Sequence, residues 1–531
     1  MRNKIIISLV TVLFLLFLVA CQLEKESSND NDESEEYLNT SSEFPIVEDS
    51  ITLDFFVGKG PTNQAKMDEV MAFNEYEDMT NININWEEIA SDSLEEKRNL
   101  AVAGGELPDA FYAAEFPSSD LLKYGEQGTF IPLNDLIKEH APNLSKIMDE
   151  YDLENVMQSA DGNIYAVPRI MDPDFISILV NPLLYYDQEW LDKAEMDVPE
   201  TTDDLYEFLK FVKESSDDDI IPFGSTDIDG LLAWLKGTFE VGNRGSHQAY
   251  IDSDPETGDV RFFPVSDEYK ELLKYLNKLY SEDLIASNIF SIEWNQFISN
   301  ASAGEYASTV FYSPDELFGE IGNHFTSGLP LTGSAEEQQH YSRAHNLYSF
   351  GTFVITSDNE YPEATMRWID YFYSDEGSKL LYMGVEGESY EETEDGYEFL
   401  DHITNDPDGL TKEQMLAKYV GYLNTGQAAG IVKEDYFEGS ETSDMSLEAV
   451  KKLEPYIIDD IWPELQYTKE EHKKMESLSQ DIEKYADEMK DKFISGEASF
   501  DEWDDYVKTI EKMGLDDYLE IETQAIERLE E

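Results

Sequence analysis

The sequence predicts an α/β protein with mostly parallel sheets flanked by helices, and two observations carry this prediction. First, strand-like apolar runs alternate with helical segments between residues 51 and 113, and strand–helix–strand units of this kind form parallel sheets. Second, the chain has 531 residues, of which 41% are hydrophobic and 12% aromatic. This length corresponds to about three domains' worth of material, enough to build large hydrophobic cores.

The first part of the chain supplies the alternating pattern. Strands are predicted at 51–57 and at 82–89, where apolar and polar residues alternate. A helix is predicted between them at 63–79. The next helix spans 93–103 and ends at Gly104-Gly105, as helices commonly do. A third strand follows at 107–113 and completes the parallel unit.

The middle of the chain combines short strands with strong helices. The apolar run FISILV, 175–180, predicts a strand. An amphipathic helix follows Pro199, with its N-cap at Thr201 or Thr202 and with apolar residues at helical spacing. A hairpin is predicted at 250–263, followed by an amphipathic helix at 266–285.

The second half of the chain returns to the sheets. A strand is predicted at 306–312, and a second one, at 349–355, crosses back towards the first part of the chain. A helix begins at Pro362, and the C-terminal part, 457–531, reads as helical.

The N-terminus predicts export and a lipid anchor. Residues 1–20 hold Arg2, Lys4 and an apolar run that is too short for a comfortable membrane span. They read as a signal peptide, and the ending LVAC resembles a bacterial lipobox, in which the cysteine becomes the diacylated N-terminus. Cys21 is the only cysteine, so no intrachain disulfide forms. The alternative is an uncleaved anchor in which Cys21 is incidental.

Composition excludes several classes of partner. There are 115 acidic residues against 37 Lys and Arg, for a formal net charge of −78. Such a surface repels nucleic acid and anionic lipid. Residues 21–50 are polar and acidic and predict a disordered tether. Because the acids are spread along the whole chain, we interpret them as a trait of an exported protein in a salty or alkaline habitat rather than as a site for a polycation.

No sequence motif indicates an enzyme. The chain holds no G-x-S-x-G, no P-loop, no H-E-x-x-H and no metal-spaced set of cysteines and histidines. The seven histidines are scattered. A carboxylate pair for glycoside hydrolysis stays open, since two acids need only lie close in space. We therefore predict no catalytic residues.

Several longer motifs resemble the bacterial extracellular solute-binding proteins of family 1, and more narrowly the large lipoprotein subgroup of Gram-positive bacteria that binds oligosaccharides for ABC transporters. The resemblance runs from about Ile51 to the end of the chain. The segments that carry it are AVAGGELPDAFY at 101–112, DGNIYAVP at 161–168, EWLDK at 189–193, PETTDDL at 199–205 and FISGEASFDEWDDYVKTIEKMGLDDYLEI at 493–521.

The resemblance implies a two-lobed, type II periplasmic-binding-protein-like clamshell. One lobe is expected at 51–170 plus roughly 345–420, and the other at 171–344 plus roughly 421–531. The lobes would close on an oligosaccharide or sugar derivative and dock, as a monomer, on an ABC permease at the outer face of the cell membrane. The alternatives are a surface-anchored glycan hydrolase or lyase, a co-receptor that presents its ligand to a membrane sensor, and a peptide ligand in place of a sugar.

Relatives in this family often place a calcium loop just before a motif that is IPFGS, 221–225, in this chain. Here that region reads SSDDD, 215–219, without the glycine and the alternating ligands that such a loop needs. The acids at 252–256 also fail the EF-hand pattern, because the glycine falls one place late. We therefore predict no cofactor and no metal ion, and the three adjacent aspartates at 217–219 leave a structural calcium as the weaker alternative.

Aromatic residues supply the candidate ligand site, because sugar faces pack on rings while hydroxyls bond to polar groups. Trp190, Trp368 and Trp503 are expected to be structural. Arg169 follows the 161–168 motif and is expected either to clamp the ligand or to form a salt bridge between the lobes. The residues expected to line the cleft are Tyr112, Arg169, Trp234, Trp294, Tyr312 and Trp462.

Overall fold

A computed structural model describes residues 37–39, 44–60, 65–216, 220–335, 337–394, 396–407 and 410–530. The predicted signal peptide, Cys21 and most of the predicted tether lie outside the described residues. Of the helices described, none is both long enough and apolar enough to cross a bilayer.

The strands are short and distributed along the whole chain. They are β1 Ile51–Lys59, β2 Ile82–Ala90, β3 Ala110–Phe116, β4 Val167–Met171, β5 Leu183–Asp187, β6 Ile251–Ser253, β7 Val260–Phe262, β8 Ser308–Phe311, β9 Phe325–Ser327, β10 Leu347–Ile355, β11 Tyr390–Thr393, β12 Gly396–Phe399 and β13 Gly430–Val432.

The helices surround these strands and become longest at the C-terminus. They are α1 Met71–Thr80, α2 Leu94–Gly104, α3 Ser118–Glu126, α4 Asn134–His140, α5 Pro142–Glu150, α6 Glu154–Met157, α7 Ile176–Val180, α8 Gln188–Ala194, α9 Thr202–Ser215, α10 Asp229–Leu235, α11 Asp267–Ser281, α12 Trp294–Ser302, α13 Pro314–Leu317, α14 Pro362–Asp370, α15 Asp375–Tyr382, α16 Asp401–Thr404, α17 Lys412–Leu416, α18 Tyr422–Thr425, α19 Asp444–Leu453, α20 Lys469–Ser495 and α21 Trp503–Glu530.

The larger sheet has six strands in the order β13-β4-β10-β3-β1-β2. Strand β1 pairs in parallel with β2 and with β3, as the strand–helix alternation predicts. Strand β10 lies between β3 and β4 and is antiparallel to both. The prediction of an α/β fold is confirmed. The antiparallel pairings in this sheet are those of β10, the strand that was predicted to cross back towards the first part of the chain.

The second sheet is smaller and has the order β8-β5-β9, with both pairings antiparallel. Single parallel bridges from Ile221 to Tyr306 and from Phe223 to Ile285 extend it on one side. The parallel character expected for this sheet is thus limited to isolated bridges, because the segment IPFGS, 221–225, forms no continuous ladder.

Two separate hydrophobic clusters define two lobes. The first cluster surrounds the six-stranded sheet and takes its buried residues from 38–179 and 347–436. The second takes its residues from 180–331 and 449–526. Strand β13 lies in the first sheet, although the range 421–531 was expected in the other lobe. The chain therefore passes between the lobes three times, at 172–182, 328–346 and 433–443.

Two predicted elements differ from the structure. The run at 175–180 is the short helix α7 and not a strand, and Phe175, Leu179 and Val180 are all buried. A short run that is apolar throughout does not distinguish the two structures by its period. The helix predicted at 63–79 begins only at Met71, because Val70 has extended dihedrals.

The C-terminal helices pack on the second lobe and also reach the first. Helix α20 contacts α3, where Lys469 forms an ion pair of 2.8 Å with Glu126. Helix α21 is interrupted at Gly514, whose φ of 107° is a conformation that glycine adopts most readily. Leu529 packs against both hydrophobic clusters, so the end of the chain connects the two lobes.

Candidate functional site

The candidate site is the cleft between the lobes. Strands β1, β2 and β3 are parallel, so their carboxyl ends meet at one edge of the larger sheet. The start of β10 and the end of β4 lie at the same edge, because Leu347 pairs with Ile170. All three passages between the lobes leave from this side. In open α/β sheets, ligands bind in the crevice outside the carboxyl ends of the strands.

Three exposed aromatic side chains lie around this cleft. Tyr348 from β10 is 47% exposed, Tyr312 after β8 is 39% exposed and Trp294 at the start of α12 is 48% exposed. The ring of Phe311 connects the last two, at 5.6 Å from Trp294 and 5.7 Å from Tyr312. Exposed apolar surface marks interaction sites where several side chains lie together, as Trp294 and Tyr312 do around Phe311. We call these three residues the cleft aromatics.

The cleft aromatics of the two lobes approach each other. Partial burial raises the pKa of Tyr312, and Tyr348 adds to that rise together with the carboxylates of Glu441 and Asp227. Tyr348 belongs to the first lobe and Tyr312 to the second, so the electrostatic influence of one on the other acts between the lobes.

Arg169 is the cation of the site. Its guanidinium carbon lies 5.8 Å from the ring centroid of Tyr348, and its Nη1 is 3.5 Å from the amide oxygen of Gln427. Its Nε is buried and has no hydrogen-bond partner among the described residues. No carboxylate within the described ranges lies at ion-pair distance, so the expected alternative of a salt bridge between the lobes is not formed there. The guanidinium keeps donors that a ligand can use.

A layer of tyrosines lies beneath Arg169. Tyr382 stacks on Tyr422 with 4.6 Å between ring centroids. Burial raises the pKa of Tyr382, and the positive charge of Arg169 opposes that rise. The hydroxyl of Tyr382 is buried and lies beside the guanidinium of Arg169. The floor of the cleft is thus aromatic with a few polar atoms, as in sites for small molecules.

The structure places three of the six predicted site residues at the cleft, namely Arg169, Trp294 and Tyr312. The other three are buried. Tyr112 is fully buried against Phe353 and Trp368, with ring centroids 5.8 and 6.0 Å apart.

Trp234 is 2% exposed and packs 5.0 Å from the ring of His340. Trp462 is 9% exposed under the guanidinium of Arg244. The expectation that these two indoles and Tyr112 are open to a ligand is wrong in this conformation, because their rings fill the cores of the lobes. Trp190, Trp368 and Trp503 are buried, as predicted.

Sequence reasoning missed Tyr348 and Gln427 as site residues. Tyr348 stands second in the crossing strand β10, so its position next to a passage between the lobes was a usable signal. Gln427 lies just before β13, whose pairing with β4 brings Gly430 opposite Arg169. That pairing leaves no trace in the local sequence.

The described residues contain no group of three or more His, Cys, Asp or Glu side chains that could hold a metal ion. Residues 217–219 of the weak calcium candidate lie outside the described residues. In the hairpin β6–β7, the carboxylate of Asp252 is committed to Arg261 at 2.7 Å and to the backbone N–H of Gly242 at 2.7 Å. It therefore serves the protein's own fold.

Comparison with known proteins identifies similar chains. The profile of the bacterial extracellular solute-binding proteins matches residues 62–379. The chain is 28% identical over 528 residues to the fructooligosaccharide ABC transporter substrate-binding protein FusA of Streptococcus pneumoniae serotype 4, covering 96% of this chain and 95% of FusA. It is 25% identical over 328 residues to the lipoprotein LipO of Bacillus subtilis, covering 58% of this chain and 61% of LipO.

The solved structure of Streptococcus pneumoniae FusA in complex with kestose has a TM-score of 0.72 to this structure at 26% identity. The alignment covers 89% of this chain and 98% of that one. The two-lobed, type II periplasmic-binding-protein-like fold is therefore shared with a solved binding protein, in agreement with the fold expected from the motifs. Because the family profile spans more than half of the sequence, the chain belongs to the family of bacterial extracellular solute-binding proteins.

Proposed function

We propose that this protein is the extracellular binding subunit of an ABC importer and that it captures an oligosaccharide between its lobes. The observation that carries the proposal is the position of Arg169, with its unpartnered Nε, beside the aromatic ring of Tyr348. Tyr312 and Trp294 add rings from the other lobe. Rings bind the apolar faces of sugars, and a guanidinium donates to their hydroxyls.

The relatives suggest which sugars to test first. FusA is named for fructooligosaccharides and was solved with kestose. The cleft aromatics and Arg169 suit a neutral oligosaccharide, because one cation and several rings provide donors and stacking faces without requiring an anionic ligand. Fructooligosaccharides are therefore the first candidate ligands.

Binding would act through closure of the lobes. The three passages between them serve as a hinge, and ligand contacts from both lobes favour the closed form by their differential affinity. The proposed lobes are those of the two hydrophobic clusters, and the closed monomer would present both lobes to the permease.

A calorimetric titration of the chain from Ser27 onward tests the proposal. The ligands are kestose, a uronic oligosaccharide and a short peptide, with chromatography of the sugar after each titration. We expect saturable binding of a glycan that is recovered intact, and a thermal shift that corresponds to about 2.7 kcal/mol at 100 times the dissociation constant. Cleavage of the sugar would instead favour a glycan hydrolase or lyase. Binding of the peptide alone would contradict the sugar proposal.

We further propose that Cys21 carries the lipid anchor. The family is extracellular, and LipO is a lipoprotein by name, which supports a location at the outer face of the membrane. In cells fed a labelled fatty acid, the wild-type chain should take up the label and sediment with membranes. The Cys21→Ser variant should lose the label and appear in the medium. Membrane retention of an unlabelled Cys21→Ser chain would favour the uncleaved anchor.

A further inference from the structure

The second lobe contains a cavity that is separate from the cleft. Its volume is about 290 Å³, and it lies between α10, α20 and the chain segments around residues 245–250 and 341–342. None of its lining residues is a cleft aromatic or Arg169. The residues that matter below are Lys236, Tyr250, Phe263, Tyr269, Asp487 and Lys490.

Lys236 brings an unpaired positive charge to this cavity. The side chain follows α10 and is partly buried, and its Nζ lies 5.2 Å from the ring centroid of Phe263. Within the described ranges it has neither a hydrogen bond nor an ion pair, in a chain with 115 acidic residues. Burial lowers its pKa to about 8, which reflects the cost of keeping the ammonium away from water.

The side chain of Tyr269 lines another wall of the cavity and brings a hydroxyl group that can donate a hydrogen bond. The residue is 5% exposed, and its hydroxyl has no hydrogen-bond partner in the described part of the chain. Two other side-chain pairs of the cavity are already engaged with each other or with a neighbour. Tyr250 donates to Asp487 at 2.9 Å, and Lys490 pairs with Asp229 at 2.5 Å. The ammonium of Lys236 and the hydroxyl of Tyr269 line the same cavity, so both are available as donors to a ligand that enters it.

We propose that this cavity is a second binding site, for a small hydroxylated carboxylate of the size of one uronic acid. The carboxylate would pair with the ammonium of Lys236 and accept a bond from Tyr269, and the ring of Phe263 would support the apolar face of the ligand. The carboxylates of Asp229 and Asp487 keep lone pairs for ligand hydroxyls. The volume excludes an oligosaccharide, so this ligand differs from that of the cleft.

The variant Lys236→Met distinguishes binding from a structural role. If Lys236 only supported the fold, its removal would destabilise the protein. Burial destabilises the ammonium more than the nearby carboxylates of Asp252 and Asp229 stabilise it, so a methionine of similar shape should leave the stability of the empty protein equal or higher. A clear loss of stability in Lys236→Met without ligand would overturn the proposal.

The binding test uses D-galacturonate, with neutral D-galactose as its matched control, on the folded chain from Ser27 onward. We expect saturable binding of galacturonate, about tenfold weaker in Lys236→Met and about fivefold weaker in Tyr269→Phe. Lys484→Met, at an exposed position on helix α20, which contributes to the wall of the cavity, should bind like the wild type. Reductive methylation with ¹³C should show the pKa of Lys236 rising when galacturonate binds, because a bound anion stabilises the ammonium.

Three outcomes of the galacturonate titrations decide against this site, and none of them depends on which sugar binds in the cleft. Equal affinity in Lys236→Met, or no binding at about 50 mM galacturonate, overturns the cavity proposal. Loss of galacturonate binding in Arg169→Met, with Lys236→Met unaffected, would assign the anion to the cleft instead. Failure of kestose to bind would leave the galacturonate result unchanged.

Discussion

At the scale of single residues, the surroundings of Arg169 bear most directly on what the cleft can bind. In a chain with 115 acidic residues, a guanidinium without a carboxylate partner is informative, because acids are available almost everywhere. Around Arg169 the neighbours are instead Tyr348, Gln427 and the buried Tyr382. Within the described residues no carboxylate pairs with Arg169. Its N–H groups are therefore available to a polar ligand in the cleft.

Replacing Arg169 by methionine should weaken sugar binding by about 10- to 100-fold, because a hydrogen bond from a charged donor is lost while the side-chain volume is kept. Calorimetry on the cleft ligand measures the effect. Lys210→Met is the matched control, since Lys210 lies 5.7 Å from the ring of Tyr206 on a helix of the other lobe. Equal losses in both variants would contradict a specific role for Arg169.

The residues that were predicted wrongly share a physical cause. Tyr112 was placed at a strand end because the predicted strand stopped at 113, but β3 continues to Phe116, so Tyr112 lies in mid-strand under Trp368. Whether a side chain of a strand points to the core or to the cleft depends on strand length and pairing, which the local sequence does not contain. Tyr312 is exposed because β8 ends just before it, and its role as a ligand contact stays a prediction.

At the scale of elements, helix α9 shows a case in which sequence and structure agree. Thr201 accepts a hydrogen bond from the N–H of Asp204, and the carboxylate of Asp204 accepts one from the N–H of Thr201. This reciprocal pair is a capping box, which the sequence indicates by its threonine and by the acid three residues later. Local sequence signals of this kind predict well where a helix begins.

We expect Thr201→Ala to lower the free energy of unfolding by about 1 kcal/mol, the usual loss for an N-cap. Thr202→Ala is the matched control, because Thr202 is the first helical residue and its side chain does not cap. Denaturant unfolding measures both variants. A larger loss in Thr202→Ala than in Thr201→Ala would show that the cap is assigned to the wrong residue.

Helix α21 carries a buried acid that couples stability to pH. Glu522 is 2% exposed and accepts a hydrogen bond of 2.8 Å from the hydroxyl of Tyr467. Burial raises its pKa to about 7, and the nearby Glu483 adds to the rise. The folded state therefore holds a proton that the unfolded state has already lost between pH 4.5 and 7, so this group lowers stability as the pH rises through that window.

The variant Glu522→Gln should be more stable than the wild type by about 3 kcal/mol at pH 8, with the difference vanishing towards pH 4.5, because the amide never ionises. Unfolding by denaturant across this pH range measures the difference. Glu520→Gln, an exposed neighbour on the same helix, should show no such trend. A difference that grows at low pH would contradict the sign of the shift.

At the scale of the whole molecule, charge is the dominant property. A net charge of −78 makes the folded chain repel itself, and dissolved salt screens this repulsion over distances of about 10 Å at 0.1 M. Salt also weakens the surface ion pairs, such as Lys469 with Glu126, but isolated exposed pairs contribute little. We therefore expect the screening of charge repulsion by salt to affect stability more than the weakening of these ion pairs.

We expect the unfolding temperature to rise as sodium chloride increases from about 20 mM to about 1 M, because the Debye length shortens from tens of ångströms to about 3 Å. Differential scanning calorimetry measures the change, and sucrose of equal osmolality serves as the uncharged control. A fall in the unfolding temperature with salt would mean that the ion pairs outweigh the net charge.

The fold class of the whole molecule could be predicted from the sequence, but the pairing of individual strands could not. Alternating strands and helices indicated the parallel unit β1–β3, and the long family motifs indicated the lobes. The sequence did not predict that β13 pairs with β4 or that the second sheet is antiparallel. Both features depend on contacts between residues far apart in sequence.

The position of β10 has a consequence for how the protein reaches its destination. Because β10 separates β3 from β4 in the larger sheet, the first lobe cannot assemble until the entire second-lobe segment 180–331 has been synthesised. A nascent chain of this kind stays open during most of translation. Such a delay suits vectorial secretion, in which a polypeptide threads through a narrow translocon before it acquires tertiary structure outside the cell.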